Sequence, residues 1–362
     1  MLGGRRAARP RVTVAITNYN YGRFLGDAIE SALTQTHPEV DVVVVDDGST
    51  DDSRDVIAAY GDRITAVLQE NAGQGAAYNA AWENCRGDVV FFLDADDVLK
   101  PDAVARAVAE VERDPGVAKV QFRMELVDER RRPIAVTPAP GVLSDGDLRA
   151  HVLRFRNYAW PPNSANAFTR SALEHVMPLP ADEYRQCPDT FVAETTVLCG
   201  AVRSLDEVGV EYRMHGGNEF VGTPVTKEWL HAKIRRTVVS HGHVRLLAKR
   251  LGLEPPDADA ARLLDVAFAG FRLASLKLDP RSHPLATDRT WRVGLHGIRA
   301  ALRHPRLRWS EKLKRTAWFC AVTPAPRPLA RRLLDVYLPD GPRRRRAERR
   351  PAERSGAGRS YG

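Results

Sequence analysis

The residues best suited to chemistry stand together at Asp94-Ala95-Asp96-Asp97, three carboxylates within four positions. They follow the turn signal Gly87-Asp88 and the apolar run Val89-Val90-Phe91-Phe92-Leu93. A short apolar run bounded in this way reads as a strand buried on both faces of a parallel sheet. Carboxylates released at the C-terminal end of such a strand fall where open α/β sheets place their ligands. Like charges this close disfavour each other's ionisation. A hard divalent cation prefers oxygen ligands and removes the repulsion. Asp94 and Asp96, one residue apart, can both turn toward such a cation. Taken alone, however, an Asp-x-Asp is more often a polar turn, with Asp97 here leading toward a helix that begins near Pro101.

The elements that must carry this loop follow from hydrophobic patterning. Residues 12–16 read as a buried strand that stops at Thr17-Asn18-Tyr19-Asn20. A helix is expected over 24–35, with Leu25, Ala28, Ile29 and Leu33 on one face. Residues 40–45 form a second strand, released into Asp46-Asp47-Gly48-Ser49-Thr50-Asp51-Asp52, where Ser49 or Thr50 is expected to cap the next helix. A third strand over 64–68 leads through Glu70-Asn71-Ala72-Gly73-Gln74-Gly75 to a helix over 76–85. A helix over 101–112 and a strand over 117–127 follow the acidic loop. This alternation predicts a doubly wound, mostly parallel sheet flanked by helices. Right-handed crossovers would line up Asn18, Asp46, Asn71, Asn79 and Asp94 along one rim, with Asp46 and Asp94 projecting into the same crevice.

Farther along, residues 128–140 read as an irregular connection, 145–155 as a helix and 160–166 as a rigid loop. Cys187-Pro188-Asp189-Thr190 opens a helix to about residue 199, and 202–212 reads as one or two strands ending in Tyr212-Arg213-Met214-His215-Gly216-Gly217-Asn218. After Pro224 the spacing becomes helical throughout, over 227–251, 257–278, 289–303 and 310–320. Four domains or segments result: a flexible N-terminus over 1–10, an α/β domain over 11–224, a helical C-terminal module over 225–338, and an Arg-rich disordered tail over 339–362.

In order and spacing, four segments resemble the family 2 glycosyltransferases of the GT-A fold. They are Thr13-Val14-Ala15-Ile16-Thr17-Asn18-Tyr19-Asn20, Val45-Asp46-Asp47-Gly48-Ser49-Thr50-Asp51, Asn71-Ala72-Gly73 with Asn79, and Leu93-Asp94-Ala95-Asp96-Asp97. Each is weak alone; four in register are specific. The resemblance extends over residues 12–218 and implies an inverting transfer of a sugar from a nucleotide-diphosphate donor, assisted by Mg2+ or Mn2+. It implies metal ligation by Asp94 and Asp96, flanked by Ala95, and nucleoside contacts from Asp46 or Asp47. Thr17, Asn18 and Tyr19 would border the base, while Asn71, Gly73 and Asn79 would form a second wall of the nucleotide pocket. Where the family often has an Arg before Asn79, this chain has Tyr78. The acceptor's proton needs a base, and the family's base position falls on Asp189, with Glu194 and Asp182 as alternatives; Pro188 replaces the usual Glu beside it. The matching block at the end of the domain makes His215 a candidate metal ligand and Arg213 a candidate diphosphate contact. Position alone places Trp160, Asn163, Ser164 and Asn166 on the acceptor side.

The bulk properties are those expected of a soluble globular chain. Of 362 residues, 43% are hydrophobic and 28% charged, which is ordinary for a globular chain. Much of the net charge of +8 sits in the tail, where Arg343, Arg344, Arg345 and Arg346 run together. The start shows no secretory signal, no apolar run approaches the length of a spanning helix, and four scattered cysteines suit a reducing compartment. The expected location is cytoplasmic, with peripheral contact at the inner face of the membrane, because Arg306-Leu307-Arg308-Trp309 and Lys312–Phe319 mix basic and aromatic residues at helical spacing. Expected partners are a nucleotide-diphosphate sugar and a glycan or lipid-linked acceptor. Two rivals stand beside this. A haloacid-dehalogenase-like phosphatase would use Asp94 and Asp96, but places its motif after the first strand. A nucleic-acid binder would use the basic tail, but has no use for an acidic cleft. A Rossmann dehydrogenase is excluded because no Gly-x-Gly-x-x-Gly follows the first strand.

Overall fold

A computed structural model describes residues 9–156, 158–216, 226–253 and 264–337. By packing, the chain divides into two units: Met1–Gly217 with Val239–Ala261, and Asn218–Val238 with Arg262–Gly362.

The first unit holds β1 (Val12–Asn18), α1 (Gly22–Leu33), β2 (Val40–Asp47), α2 (Ser53–Ala58), β3 (Thr65–Gln69), α3 (Gln74–Asn84), β4 (Val89–Asp94), β5 (Val98–Leu99), α4 (Ala103–Arg113), β6 (Val117–Val127), β7 (Pro133–Thr137), α5 (Arg149–Phe155), β8 (Asn166–Thr169), α6 (Arg170–Leu173), α7 (Pro188–Thr196) and β9 (Ala201–Arg213). The strands join in the order β3-β2-β1-β4-β8-β6-β9-β5, with β7 hydrogen-bonded to β6. Strands β1 to β4 are parallel where they pair; β8 runs antiparallel to both β4 and β6, and β9 is parallel to β6. Alternate residues of the central strands feed two cores. Val14, Ile16, Val44, Phe91 and Leu93 pack with Leu25 and Ile29 of α1 and Val104 and Val108 of α4. Ala15, Val43, Val45, Val90 and Phe92 pack with Tyr78 of α3 and Phe191 and Val192 of α7. The continuous apolar runs are therefore buried on both sides, each full Val, Leu, Ile or Phe burial contributing about 1.5–3 kcal/mol.

The predicted strands and helices of residues 12–127 are present, with ends shifted by a few residues. In the first unit four strands or α-helices were not anticipated, and each is short or exposed; in the second, α12 (Arg327–Tyr337) was not anticipated either. β7 lies in the stretch expected to be irregular, because its Ile134 and Val136 face solvent on a sheet edge and give no burial pattern. β8 has four residues and begins with a polar one, so it read as loop. α6 has four residues, and β5 two. Neither Ser49 nor Thr50 caps α2, which starts later, behind Asp52; Asp51 instead accepts from the backbone N–H of Ser53 at 3.0 Å.

Helix α8 (Lys227–Arg250) is divided at residue 238/239 rather than beginning a separate module at 225. Its C-terminal half belongs to the first unit because Val244, Leu247 and Ala248 are buried in the second of the two cores. The second unit further comprises α9 (Val266–Leu278), α10 (Thr290–Arg303), α11 (Trp309–Val322) and α12 (Arg327–Tyr337). Asp265 caps α9 by accepting from Phe268 N–H at 2.9 Å, and Lys277 Nζ donates to the carbonyls of Thr323 and Ala325. The tail over 339–362, and most of the N-terminal segment over 1–10, lie outside the described residues.

Inside the second unit the Asp288 carboxylate accepts from Arg272 Nε at 2.7 Å and lies 3.0 Å from His283 Nε2. Burial alone would raise its pKa, but the hydrogen bonds and charge of Arg272 and His283 outweigh burial and hold it at about 2. A carboxyl depressed on folding stabilises the native state above its unfolded pKa, and that contribution is lost as pH falls through the folded value. Asp288→Asn should therefore lower stability by about 2 kcal/mol at pH 7 and much less near pH 2, read as the pH dependence of thermal unfolding for both proteins.

Candidate active site

The sheet register decides which polar residues meet. Thr17 lies opposite Asp94 and Val45, whereas Asn18 lies opposite Asp46. Successive strand residues face opposite sides, so Thr17, Asp47 and Asp94 belong to the α3 and α7 face, and Asn18 and Asp46 to the α1 and α2 face. This corrects the expectation that Asp46 and Asp94 share one crevice. Asp46 accepts from Asn18 Nδ2 at 2.9 Å, Ser49 N–H at 3.1 Å and Arg54 Nε at 3.1 Å. Its burial would favour protonation, but these hydrogen bonds overcome it and keep the carboxyl below its usual range. Asp46 and Asn18 are thus built into the loop after β2, while Tyr19 is exposed beside them.

Asp47, on the other face, accepts from Gln69 Nε2 at 2.7 Å and from the N–H groups of Ala72 and Gly73, both at 2.8 Å. It fixes the 71–73 turn at the start of α3. Asn71 is tied in as well, donating to the Asp47 carbonyl and accepting from Arg185 Nη2 at 2.9 Å. Gly73 has φ +93°, and a Cβ there would stand 2.4 Å from Arg185 Cγ and 2.9 Å from the Arg185 carbonyl oxygen. The close approach expected of a ligand is made instead by the chain's own Arg185. Asn79 is also corrected: its side chain donates to and accepts from the Leu179 backbone, both at 2.9 Å, and holds α3 to the 179–187 segment. Tyr78 is buried and stacks on Phe92 at 4.5 Å between ring centroids, which explains an aromatic residue where a cation was expected.

The acidic loop is a tight turn, closed by Asp97 N–H donating to the Asp94 carbonyl at 3.1 Å. Ser164 bridges it, accepting from Asp94 N–H at 3.1 Å and donating to Asp97 Oδ2 at 2.6 Å. Asn163 Nδ2 donates to Asp94 Oδ1 at 3.0 Å. Asn166 is buried, and its amide holds the carbonyls of Pro161, Pro162 and Asn163. Ser164 and Asn166 therefore shape the acidic turn from behind, rather than facing an acceptor. Arg213 is corrected in the same sense. Its Nε donates to the Asp96 carbonyl at 2.8 Å, Nη1 to the Glu129 carbonyl at 2.9 Å, and Nη2 to Asp27 Oδ2 at 2.7 Å. Its own N–H donates to Asp97 Oδ1 at 3.0 Å. The guanidinium clamps the turn and is spent on protein partners.

Charge crowding marks this loop as more than a turn. Burial, then the neighbouring Asp96 and Asp189 carboxylates, push Asp94 up to about 7. Asp97 is driven well above the carboxylate range by burial, then Asp96 and Asp94. Tyr212 is raised by burial and then by Asp97, Asp94, Asp96 and Asp189, so all four acids act on one ring. Asp189 lies in the first turn of α7, whose start is fastened by Cys187 N–H donating to Gln74 Oε1 at 2.9 Å. The alternatives are elsewhere: Glu194 is paired with buried Arg156 and bonded to Ser240, and Asp182 is exposed.

His215 Nε2 lies 2.9 Å from Asp96 Oδ2, with its ring against Tyr21 and Phe24. Carboxylate oxygens and an imidazole nitrogen suit a hard or borderline divalent cation, and such an ion would relieve the part of the Asp94 shift that comes from the neighbouring carboxylates rather than from burial. Among the described residues no three His, Cys, Asp or Glu side chains already converge to hold a metal.

Lys119 is the residue the sequence reading missed. It is fully buried on β6, donates to Tyr158 Oη at 3.1 Å, and sits 5.2–5.8 Å from the ring centroids of Tyr158, Trp160 and Phe168. Burial lowers its pKa well below that of a free lysine, and Asp189 works against the drop. Tyr158 in turn donates to the Ala193 carbonyl of α7 at 2.6 Å. Trp160, expected on the acceptor side, is half-buried against this lysine. A lysine inside the apolar run Val117-Ala118-Lys119-Val120 was the available signal.

With the geometry in hand, the similarities are informative. The chain superposes on Staphylococcus aureus TarS 1–349 in complex with UDP with a TM-score of 0.50 at 16% identity, over 85% of this chain and 90% of that one. The complex of that protein with UDP-GlcNAc gives 0.51 at 15% identity, with the same coverages. The fold is that of the GT-A-type glycosyltransferases. Residues 13–175 match the family described as glycosyl transferase family 2, so the chain carries a segment similar to that family. An uncharacterized glycosyltransferase of Nostoc sp. is 39% identical over 213 residues, 58% of this chain and 66% of that protein. Escherichia coli chondroitin synthase is 39% identical over 169 residues, 46% of this chain and 22% of that protein. The putative teichuronic acid biosynthesis glycosyltransferase TuaG of Bacillus subtilis is 39% identical over 102 residues, 27% of this chain and 40% of that protein. The matches thus span less than two thirds of these relatives' own lengths.

Because the buried Arg213 guanidinium ties the Asp96 carbonyl of the acidic turn to the Glu129 carbonyl and the Asp27 carboxylate, Arg213→Met should cost about 3 kcal/mol, the range for breaking a largely buried charge network. A thermal-unfolding midpoint within a degree of wild type would show that the clamp is dispensable.

Proposed function

We infer that the protein transfers a sugar from a nucleotide-diphosphate donor to a hydroxyl of a glycan, lipid-linked saccharide or other glycoconjugate, with inversion and with a divalent cation, Mg2+ or Mn2+. The observation that carries this is a buried Asp94 within electrostatic reach of Asp96 and Asp189, its carboxyl raised to about 7 by burial and then by those two acids. Support for the donor class comes from TarS, which shares the fold and binds UDP and UDP-GlcNAc. Support for glycan assembly comes from the likeness to chondroitin synthase and to the putative teichuronic acid biosynthesis glycosyltransferase TuaG.

In this reading Asp94, Asp96 and His215 would hold the cation, whose chemistry when bound is to neutralise the departing diphosphate. Asp189 takes the proton of the acceptor hydroxyl as the new bond forms at the anomeric carbon and the bond to the diphosphate breaks. Asn163 orients Asp94, while Ser164 and Arg213 hold the turn in shape, so little reorganisation is left for the reaction itself. Thr17, Tyr19 and Asp47 border the nucleoside side. Lys119 and Tyr158 hold α7, and with it Asp189, against the sheet. The phosphatase and nucleic-acid readings gain nothing from this arrangement, since three strand–helix units precede the acidic turn and its charge repels phosphate backbones.

A thermal-shift panel of UDP-, GDP- and TDP-sugars with and without Mn2+ tests the reading. One nucleotide sugar should stabilise the protein only with the cation, and Asp96→Asn should abolish the effect. Asp189→Asn should keep the donor-induced shift but lower kcat by roughly 10²–10⁴-fold. A flat panel, or full turnover by Asp189→Asn, would remove the proposal.

A further inference from the structure

Helices α10 and α11 of the second unit carry large apolar side chains on their outside. Trp291 is 57% exposed, Leu295 59%, Trp309 72% and Leu313 62%. Such side chains scattered singly are ordinary, but these are not scattered. On α10, Trp291, Leu295, Ile298 and Leu302 follow one another at helical spacing, and on α11 so do Trp309, Leu313, Ala317 and Cys320. The helices pack antiparallel: a Cβ on Gly294 would strike Thr323, and one on Gly297 would strike Phe319. At roughly 100° per residue, each stripe lies about a quarter turn, in the same rotational sense, from the side its helix packs on the other. For antiparallel helices that sense brings both stripes onto one face of the pair.

Charge surrounds this face. Residues 289–322 contain nine Lys or Arg and a single acid, Glu311, an excess as large as that of the whole chain, +8. Round α10 the basic positions, Arg292, Arg299 and Arg303, fall beside the apolar stripe, and on α11 Lys312 and Lys314 flank it on either side. Both exposed tryptophans have a cation against the ring, Arg292 at 5.1 Å and Lys312 at 4.9 Å. Nucleic acid would use the cations but has no place for leucines. A second copy of the chain would bring the same positive charge to meet itself. An anionic bilayer surface satisfies both: its phosphates meet the cations, and its acyl boundary takes up the Trp and Leu side chains.

We propose that the α10–α11 face is a docking surface for an anionic lipid bilayer, on which the protein lies without crossing it. No helix among the described residues is long and apolar enough to cross. The proposal stands apart from the nucleotide-sugar reading and survives its failure.

The test is co-sedimentation of the full chain with vesicles of phosphatidylcholine alone and with about 30 mol% phosphatidylglycerol. Wild type should pellet with the anionic vesicles and not with the neutral ones. The quadruple variant Trp291→Ser, Leu295→Ser, Trp309→Ser, Leu313→Ser should bind at least ~10-fold more weakly while keeping its unfolding midpoint. Should that variant not fold, the pair Trp309→Ser, Leu313→Ser serves, with Trp fluorescence quenching by brominated lipid as a second readout in wild type. Binding that is absent, equal on neutral vesicles, or unchanged by the substitutions overturns the proposal. So does a loss of self-association or of RNA binding in the variant without any loss of vesicle binding.

Discussion

Everything in the catalytic unit answers to one electrostatic problem: several carboxylates are gathered at the end of a buried strand, where water screens them poorly. Repulsion among Asp94, Asp96, Asp97 and Asp189 would open the turn if nothing opposed it. What opposes it is a shell of neutral and cationic donors. Ser164 and the Arg213 N–H serve Asp97, Asn163 serves Asp94, and the Arg213 guanidinium grips the Asp96 carbonyl. These contacts compensate enough charge to keep the turn shaped while Asp94 stays raised to about 7, which is the condition expected of a functional site rather than a structural one.

The same logic explains why α7 is fastened from several sides. Gln74 receives the Cys187 N–H, Tyr158 reaches the Ala193 carbonyl, and Glu194 is locked to Arg156 and Ser240. Each contact comes from a different element, so α7 cannot rotate without losing several at once. Asp189 is the one acid of that helix left in electrostatic reach of Asp94. Position and environment, rather than residue type, set it apart from Glu194, which is paired with Arg156 and Ser240.

The parallel half of the fold was legible because β1, β2 and β4 are apolar on both faces and helices separate them. The acidic turn was legible for the same reason: it ends such a strand. What could not be read was how the remaining polar residues are used. Asn79, Ser164, Asn166 and Arg213 have the right types and neighbourhoods for ligand contacts, yet three are consumed by partners far away in sequence, Leu179 for Asn79, Asp94 and Asp97 for Ser164 and Glu129 for Arg213, and Asn166 by the carbonyls of Pro161, Pro162 and Asn163 just before it. Sequence shows which groups can hydrogen-bond; only packing shows which are already engaged. Lys119 is the converse case, a charge amid apolar residues whose aromatic partners lie about forty positions away.

The division of labour between Asp46 and Asp47 has a consequence for how this segment can vary. The two acids are adjacent, and the pleat alone sends one to brace the loop after β2 and the other to anchor the turn before α3. Sliding β2 by a single residue would swap their duties and strand both sets of donors. Insertions or deletions within β2 itself, which shift that register, should therefore be poorly tolerated.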